Sequence, residues 1–461
     1  MISSECRTAA HAHAAPAAEP ATKGAQAVLW LSTAAFTLLF AVWLMFGVLA
    51  IPIRKELNLT EAQFSWLTAI AILNGSFWRL AFGILADKFG GRLLMTLLLA
   101  ATTVPVALVS FAHSYWLLML LAFFVGIAGN GFSIGIAWNS IWFRKKAQGT
   151  ALGVFGAGNV GASVTKLIGP AMIALVPAGG LAGGIIPGGW RFIPVLYAVL
   201  LLIMALLTWT LTPADRYPGK GRPLAEILVP LKRIRVWRFS LYYVIVFGAY
   251  VALSVWLPHY YQDVYKLSLP VAAGLTALFI FPASLLRPVG GYLSDRYGPR
   301  RVMYAVFILM TLAGALLSLP NSVLTFTGIG GVEHTFHLSV GPALFTLFVF
   351  LLGVGMGVGK AAVYKYIPEY FPKDVGAVGG LVGALGGLGG FFLPPLFAYA
   401  QSATAMPQAT FAVLLALTLL SFAWLHLTVI RTRSVSEAVL SAPTIHAASR
   451  RRSTDSLTPV S

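Results

Sequence analysis

The chain has 461 residues, 58% hydrophobic and only 10% charged, with a formal net charge of +18. A soluble domain carries about 25% charged residues, so a soluble globular protein is excluded and a polytopic membrane protein is expected. The positive balance does not call for a nucleic-acid partner, because most of it follows from membrane topology.

An apolar run of about 20 residues crosses a bilayer core of about 30 Å. Twelve are predicted, near 29–51, 64–85, 93–112, 116–141, 151–176, 192–211, 241–260, 271–293, 302–319, 342–363, 376–400 and 411–430. The fold class is therefore all-α integral membrane. With both termini inside, the inside segments hold 24 Lys/Arg and the outside segments four. That asymmetry sets the orientation. Residues 1–27 and 432–461 read as disordered cytoplasmic tails. The first apolar run, about 23 residues, is too long for the apolar core of a signal peptide. Cys6 is the only cysteine, so no intrachain disulfide is possible.

Span 2 carries Arg79 and ends in the charged turn Asp87-Lys88-Phe89-Gly90-Gly91-Arg92. The segment recurs: a shift of 208 takes Arg79 to Arg287, Gly83 to Gly291, Asp87 to Asp295 and Gly90 to Gly298. The repeat predicts two pseudo-symmetric six-helix halves, 28–212 and 239–431, joined by a basic linker at 213–238. Asp87, Arg92, Asp295 and Arg300 are the gating candidates on the cytoplasmic face. Span 5 opens with glycines at 149, 153, 156 and 161, and span 11 has glycines at 376, 379/380, 383, 386/387 and 390. Such faces let a neighbouring helix or a ligand reach the backbone. Alternating access gives them a transport use as well as a packing one. The 9–10 connection, 320–341, is Gly/Thr-rich and is expected outside.

An arginine at the bilayer centre costs about 2.5–3.5 kcal/mol on insertion scales. All fourteen Asp/Glu lie in tails, loops or span ends, so a midplane salt bridge is not expected for Arg79 or Arg287. The simplest partner is a diffusible anion. A guanidinium donates two parallel hydrogen bonds to a planar oxyanion, and a pair could clamp one small planar anion from opposite sides. The competing reading is a guanidinium satisfied by helix carbonyls.

The turns GILADKFGGR and GGYLSDRYGPRR resemble the cytoplasmic-loop motif of the major facilitator superfamily. GVFGAGNVGAS in span 5 and GALGGLGGFFLPP in span 11 resemble the paired signatures of its nitrate/nitrite porter (NarK-like) family, over about 30–431. The resemblance implies the major facilitator fold and secondary transport of nitrate or nitrite, by exchange or by proton symport. It also implies a substrate site of Arg79, Arg287, Asn159, Tyr243, Phe247 and Phe132, with Gly158 and Gly386 from the two signatures. Lys360 and Lys365 in span 10 resemble the branch associated with nitrate/proton symport.

Moving an anion inward against about 100 mV costs about 2.3 kcal/mol, so uptake needs exchange or a co-transported proton. The lack of a midspan carboxylate favours exchange; Lys360 and Lys166 are the candidate coupling residues, with Glu369 and Asp263 near span ends as alternatives. Both lysines also read as cavity-lining or snorkelling side chains. Asn159 reads equally as an interhelical hydrogen-bonding residue. Tyr243, Phe247 and Phe132 read equally as ordinary packing.

The expected partners are nitrate, nitrite, the bilayer and, for symport, protons. A monomer in a bacterial inner membrane is expected, with no enzyme activity and no cofactor. Another small monovalent anion, such as formate or an organic acid, is the alternative substrate, and a transporter-like sensor the remote one. His334-x-x-His337 after Glu333 has metal-like spacing but no clear third ligand, so no metal is expected.

Overall fold

The computed structural model describes residues 23–441 except 144, 178, 216–224, 227–228, 321, 330, 332 and 372–374; a few side chains within this range are also outside the described set. Twelve helices among the described residues are long and apolar enough to cross a membrane: Gly24–Leu57, Glu61–Ala86, Gly91–Val109, Tyr115–Trp142, Ala151–Leu175, Gly189–Leu211, Ile234–Tyr265, Leu269–Tyr297, Pro299–Leu317, Pro342–Ile367, Val378–Thr404 and Ala409–Ile430. They are numbered spans 1 to 12. The chain is a multi-pass membrane protein.

Span starts are specified locally. Thr60 accepts the Gln63 amide at 3.2 Å, and the Gln63 side chain accepts the Thr60 amide at 3.0 Å. This capping box satisfies two donors that have no intrahelical partner, and so fixes where span 2 begins.

Several spans are broken midway, at the residues expected to form the site. Span 2 breaks at Trp78 (φ −82°, ψ −1°), one residue before Arg79. Span 8 breaks at Leu286 (φ −84°, ψ 4°), one residue before Arg287. Span 4 tightens to a 3-10 turn at Gly126–Asn130 and span 5 at Gly158–Val160. Span 7 widens to a π turn at Val244–Gly248, between Tyr243 and Ala249. Such irregularities re-aim side chains and turn backbone groups inward. The charged turns are equally matched: Gly90 (φ 90°, ψ 149°) and Gly298 (φ 82°, ψ 142°) share a conformation that side chains rarely adopt.

Span 2 packs along span 11, and span 5 along span 8. These pairs bring together helices distant in sequence, and glycine makes the approach possible. A methyl on Gly387 of span 11 would meet Ser76 Oγ of span 2 at 2.7 Å, and one on Gly390 would meet Ile72 at 3.0 Å.

Two regions carry regular structure beyond the twelve spans. The 320–341 connection holds an antiparallel hairpin, β1 (Ser322–Thr327) with β2 (Glu333–Leu338), paired Phe326 to His334 and Val323 to His337. The His337 side chain lies outside the described residues. The last helix runs on to Ser441, into the segment read as a tail, because no helix breaker interrupts Ala409–Ser441.

Candidate functional site

Arg79 opens the second segment of span 2 and is 1% exposed. Its Nε donates to the Gly75 carbonyl at 3.0 Å, one of the acceptors left at the end of the first segment. Its Nη1 donates to the Gly383 carbonyl of span 11 at 3.3 Å. Its Nη2 is buried and has no protein partner. Three rings surround the guanidinium carbon: Phe247 at 4.9 Å, Trp43 at 5.2 Å and Phe132 at 5.5 Å. A desolvated cation–π contact contributes about 2 kcal/mol. The rings therefore offset part of the burial cost without supplying a negative charge.

Arg287 is half-buried at the matching position of span 8. Its Nη1 lies 3.5 Å from the Gly156 carbonyl of span 5, and its guanidinium carbon 5.7 Å from the Phe132 ring centre. One phenyl ring is thus shared by both arginines, which locates the pair in one place. Among the described residues, the carboxylates of every ion pair lie elsewhere, on Arg54, His259, Arg191 and Lys365.

The aromatic candidates of span 7 join the same site. Tyr243 and Phe247 stack at 4.9 Å, 13° from parallel. Gly386 makes room for the Tyr243 ring, which any side chain there would overlap. Methyls on Gly387 and Gly156 would stand 3.5 Å from Arg79 Nη1 and 3.2 Å from Arg287 Nη1. Side-chain-free positions therefore lie beside both guanidiniums. Asn159, 1% exposed, leaves Oδ1 and Nδ2 without partners, while its backbone carbonyl accepts from the Tyr250 hydroxyl at 3.1 Å. An unpaired buried polar group costs about 1–3 kcal/mol, and here several converge.

Other candidates fall elsewhere. Gly158 faces span 1: a methyl there would meet Phe36 at 2.7 Å and Thr37 Oγ1 at 3.1 Å, so its role is packing. Lys166 donates to the Leu44 carbonyl at 3.4 Å, at the break in span 1, and contacts neither guanidinium. Lys360 is close to the site: its Nζ donates to the Ala283 carbonyl at 2.9 Å, lies 3.2 Å from the Tyr250 ring centre and 5.7 Å from that of Phe247. Lys365 instead pairs with Asp295. Arg92 is tied to the end of span 6, its Nε donating to the Trp209 carbonyl at 3.0 Å and its amide to Asp215 at 3.1 Å. Arg300 is exposed, and the Asp87 side chain lies outside the described residues.

Three features escaped sequence reasoning. Tyr250 lies between Asn159, Ser284 (3.0 Å) and Lys360; its spacing of three from Phe247 was the available signal. Tyr364 packs edge-on to Tyr243 at 5.1 Å. At the end opposite the charged turns, a clasp joins spans 1 and 2 to span 7. There Arg54 meets Glu61 at 2.8 Å and Asp263 at 3.5 Å, and His259 meets Glu61 at 2.6 Å and Asp263 at 3.3 Å. Three of these groups could ligate a metal by distance, but Arg54 Nη1 stands 3.2 Å from His259 Nε2 and a second cation there would be repelled.

Twelve membrane-long helices, with matched breaks that each present a guanidinium inward, define the architecture of a secondary transporter. A family model described as Major Facilitator Superfamily matches residues 31–338 and 275–454. A Thermus thermophilus protein named probable nitrate/nitrite antiporter NarK1 is 65% identical over 405 residues, 88% of this chain and 91% of that one. The nitrite extrusion protein of Bacillus subtilis (strain 168) is 32% identical over 384 residues, 83% of this chain and 89% of its own length. A solved bacterial homolog of the human lysosomal transporter Spinster, inward-facing and occupied, superposes with a TM-score of 0.67 at 17% identity, covering 87% of this chain and 96% of that one. The chain belongs to the major facilitator superfamily and, within it, to the nitrate/nitrite porter (NarK-like) family.

Proposed function

We propose that this protein carries nitrate and nitrite across a bacterial inner membrane by alternating access, exchanging one for the other. The observation that carries this reading is the guanidinium pair about Phe132, buried among rings and helix carbonyls. Arg79 Nη2 and the Asn159 amide both lack protein partners. They are donors suited to a small planar oxyanion of single charge. The names of the relatives supply the substrates, nitrate and nitrite.

Exchange is favoured over proton symport because no carboxylate contacts the guanidinium pair among the described residues. Two anions of equal charge moving in opposite directions also leave the membrane potential no net work to oppose. Arg79 donates to span 11, and Arg287 lies within 3.5 Å of a span 5 carbonyl. Each guanidinium thus reaches from one six-helix half to the other, so rocking of the halves would re-form the site on either side. Both termini face the cytoplasm in this reading, on the side holding most of the Lys/Arg. The protein works as a monomer and performs no covalent chemistry.

Reconstitution in liposomes tests the proposal. Nitrate influx that requires internal nitrite and persists when the pH gradient is dissipated is the expected result. Influx that follows the proton gradient without nitrite would replace exchange by symport. Uptake of formate in preference to nitrate would overturn the substrate assignment.

A further inference from the structure

A second cationic site lies away from the guanidinium pair. A cleft of about 90 Å³ is lined by Arg235, Arg238, Tyr242, Arg300, Tyr366 and Tyr370, with the last span beneath it. A water needs only about 10–15 Å³ measured the same way, so a tetrahedral oxyanion fits. Spans 7, 9, 10 and 12 contribute. Spans 2, 5, 8 and 11, which hold Arg79, Asn159, Arg287 and Gly386, do not.

The chemistry of the cleft is one-sided. Arg238 sits at its base, 8% exposed, with a buried Nε that has no partner. The buried hydroxyls of Tyr242 and Tyr366 also have none. Arg235 and Arg300 are exposed, and Arg235 lies 5.2 Å from the Tyr370 ring centre. No Asp or Glu is among the described lining residues. Three guanidiniums without a carboxylate are held together at a cost that an oxyanion with several acceptor oxygens would remove.

Its position names the class of ligand. Arg235 and Arg300 stand at the starts of spans 7 and 9, on the same end of the molecule as the charged turns. Span 12 is 22% buried over its apolar window and exposes Leu419, Leu420, Leu427 and Ile430. Leu425, Thr428 and Val429 line the cleft from the opposite face of span 12, so the cleft lies one helix in from that exposed face, at the depth of the charged turns. Basic pockets between helices at that depth suit anionic headgroups.

We infer that this cleft binds a phosphate oxyanion, with Arg238 and the two tyrosine hydroxyls receiving it and Arg235 and Arg300 closing over it. An anionic phospholipid headgroup and a free phosphate share that chemistry. Thermal unfolding of the full-length protein in detergent, with saturating nitrate throughout, separates them. Phosphatidylglycerol, phosphatidylcholine and inorganic phosphate are added in separate titrations.

Phosphatidylglycerol is expected to raise Tm while phosphatidylcholine does not, and the Arg235→Gln/Arg300→Gln variant should need about tenfold more of it. Adding Arg238→Gln should remove the remaining rise. A comparable rise with inorganic phosphate, lost in the same variants, supports the site and assigns it to a soluble anion. Equal shifts in wild type and the double variant overturn the inference, as does the absence of a shift with both anionic probes. The double variant alters only exposed side chains, so the test holds even if Arg238→Gln does not fold.

Discussion

The turn around Arg79 and the turn around Arg287 have nearly the same backbone and very different surroundings. The breaks at Trp78 and Leu286 agree within a few degrees, as do Gly90 and Gly298. Yet Arg79 is enclosed by three rings and two carbonyls, whereas Arg287 is half-buried beside one ring and one distant carbonyl. Duplicated sequence reproduces the path of the chain. What each copy then touches differs: Trp43, Phe132 and Gly75 reach Arg79 from its own half and Phe247 and Gly383 from the other, while Arg287 meets Phe132 and Gly156 of the other half.

The largest expected effect tests the pair itself. Arg79→Lys and Arg287→Lys each keep the charge but lose the planar fork, and each should lower nitrate uptake in proteoliposomes by about 100-fold, near 3 kcal/mol. They should part company in stability. Arg79→Lys also gives up the bonds to Gly75 and Gly383, so its Tm should fall while that of Arg287→Lys stays near wild type. Equal losses of Tm would mean the two environments are alike in energy.

Gly386→Ala comes next. Its methyl must displace the Tyr243 ring, at about 1–3 kcal/mol for overpacking, and uptake should fall with stability. Gly291→Ala, with nothing within 4 Å, should leave both nearly unchanged.

The turn glycines sharpen the comparison further. Gly298→Ala meets only its backbone conformation (φ 82°, ψ 142°), a strain of about 1–3 kcal/mol. Gly90→Ala bears the same strain and also collides with Asp215, so it should lower Tm more.

Asp215 itself should show the smallest effect. Burial pushes its carboxyl up; the bonds from the Arg92 amide and Trp138, and the Arg92 charge, pull it back only in part. A raised folded-state pKa means that stability from this group is full below its unfolded value and is lost as pH rises through the folded one. Asp215→Asn should therefore match wild type in acid and gain slightly in Tm at neutral pH.

Twelve spans and a twofold repeat were legible because apolar length and a shift of 208 are one-dimensional signals. The arginine pair was legible for a related reason: with every acid at a span end, four midspan cations stand out, and the shift of 208 pairs two of them, Arg79 and Arg287. Phe132 could be named only by likeness, since nothing in its neighbours marks it as the ring both guanidiniums share. The break before Arg79 was hidden because no proline or glycine falls at Trp78 or Arg79. That Gly158 lies against span 1 was not legible, because a glycine face does not say which helix will lie on it. The clasp was invisible because Arg54 and Glu61 lie about 200 positions from His259 and Asp263 in the chain.

That clasp has a consequence for traffic through the molecule. Arg54, Glu61, His259 and Asp263 tie the first two spans to span 7 at one end, through contacts partly open to solvent. Parting them exchanges each contact for hydration, and dissolved ions next to that surface weaken the attraction, with a screening length of about 8 Å at physiological strength. The ease with which this entrance unlatches is thus set by the salinity of a single compartment, and the opposite mouth is indifferent to it.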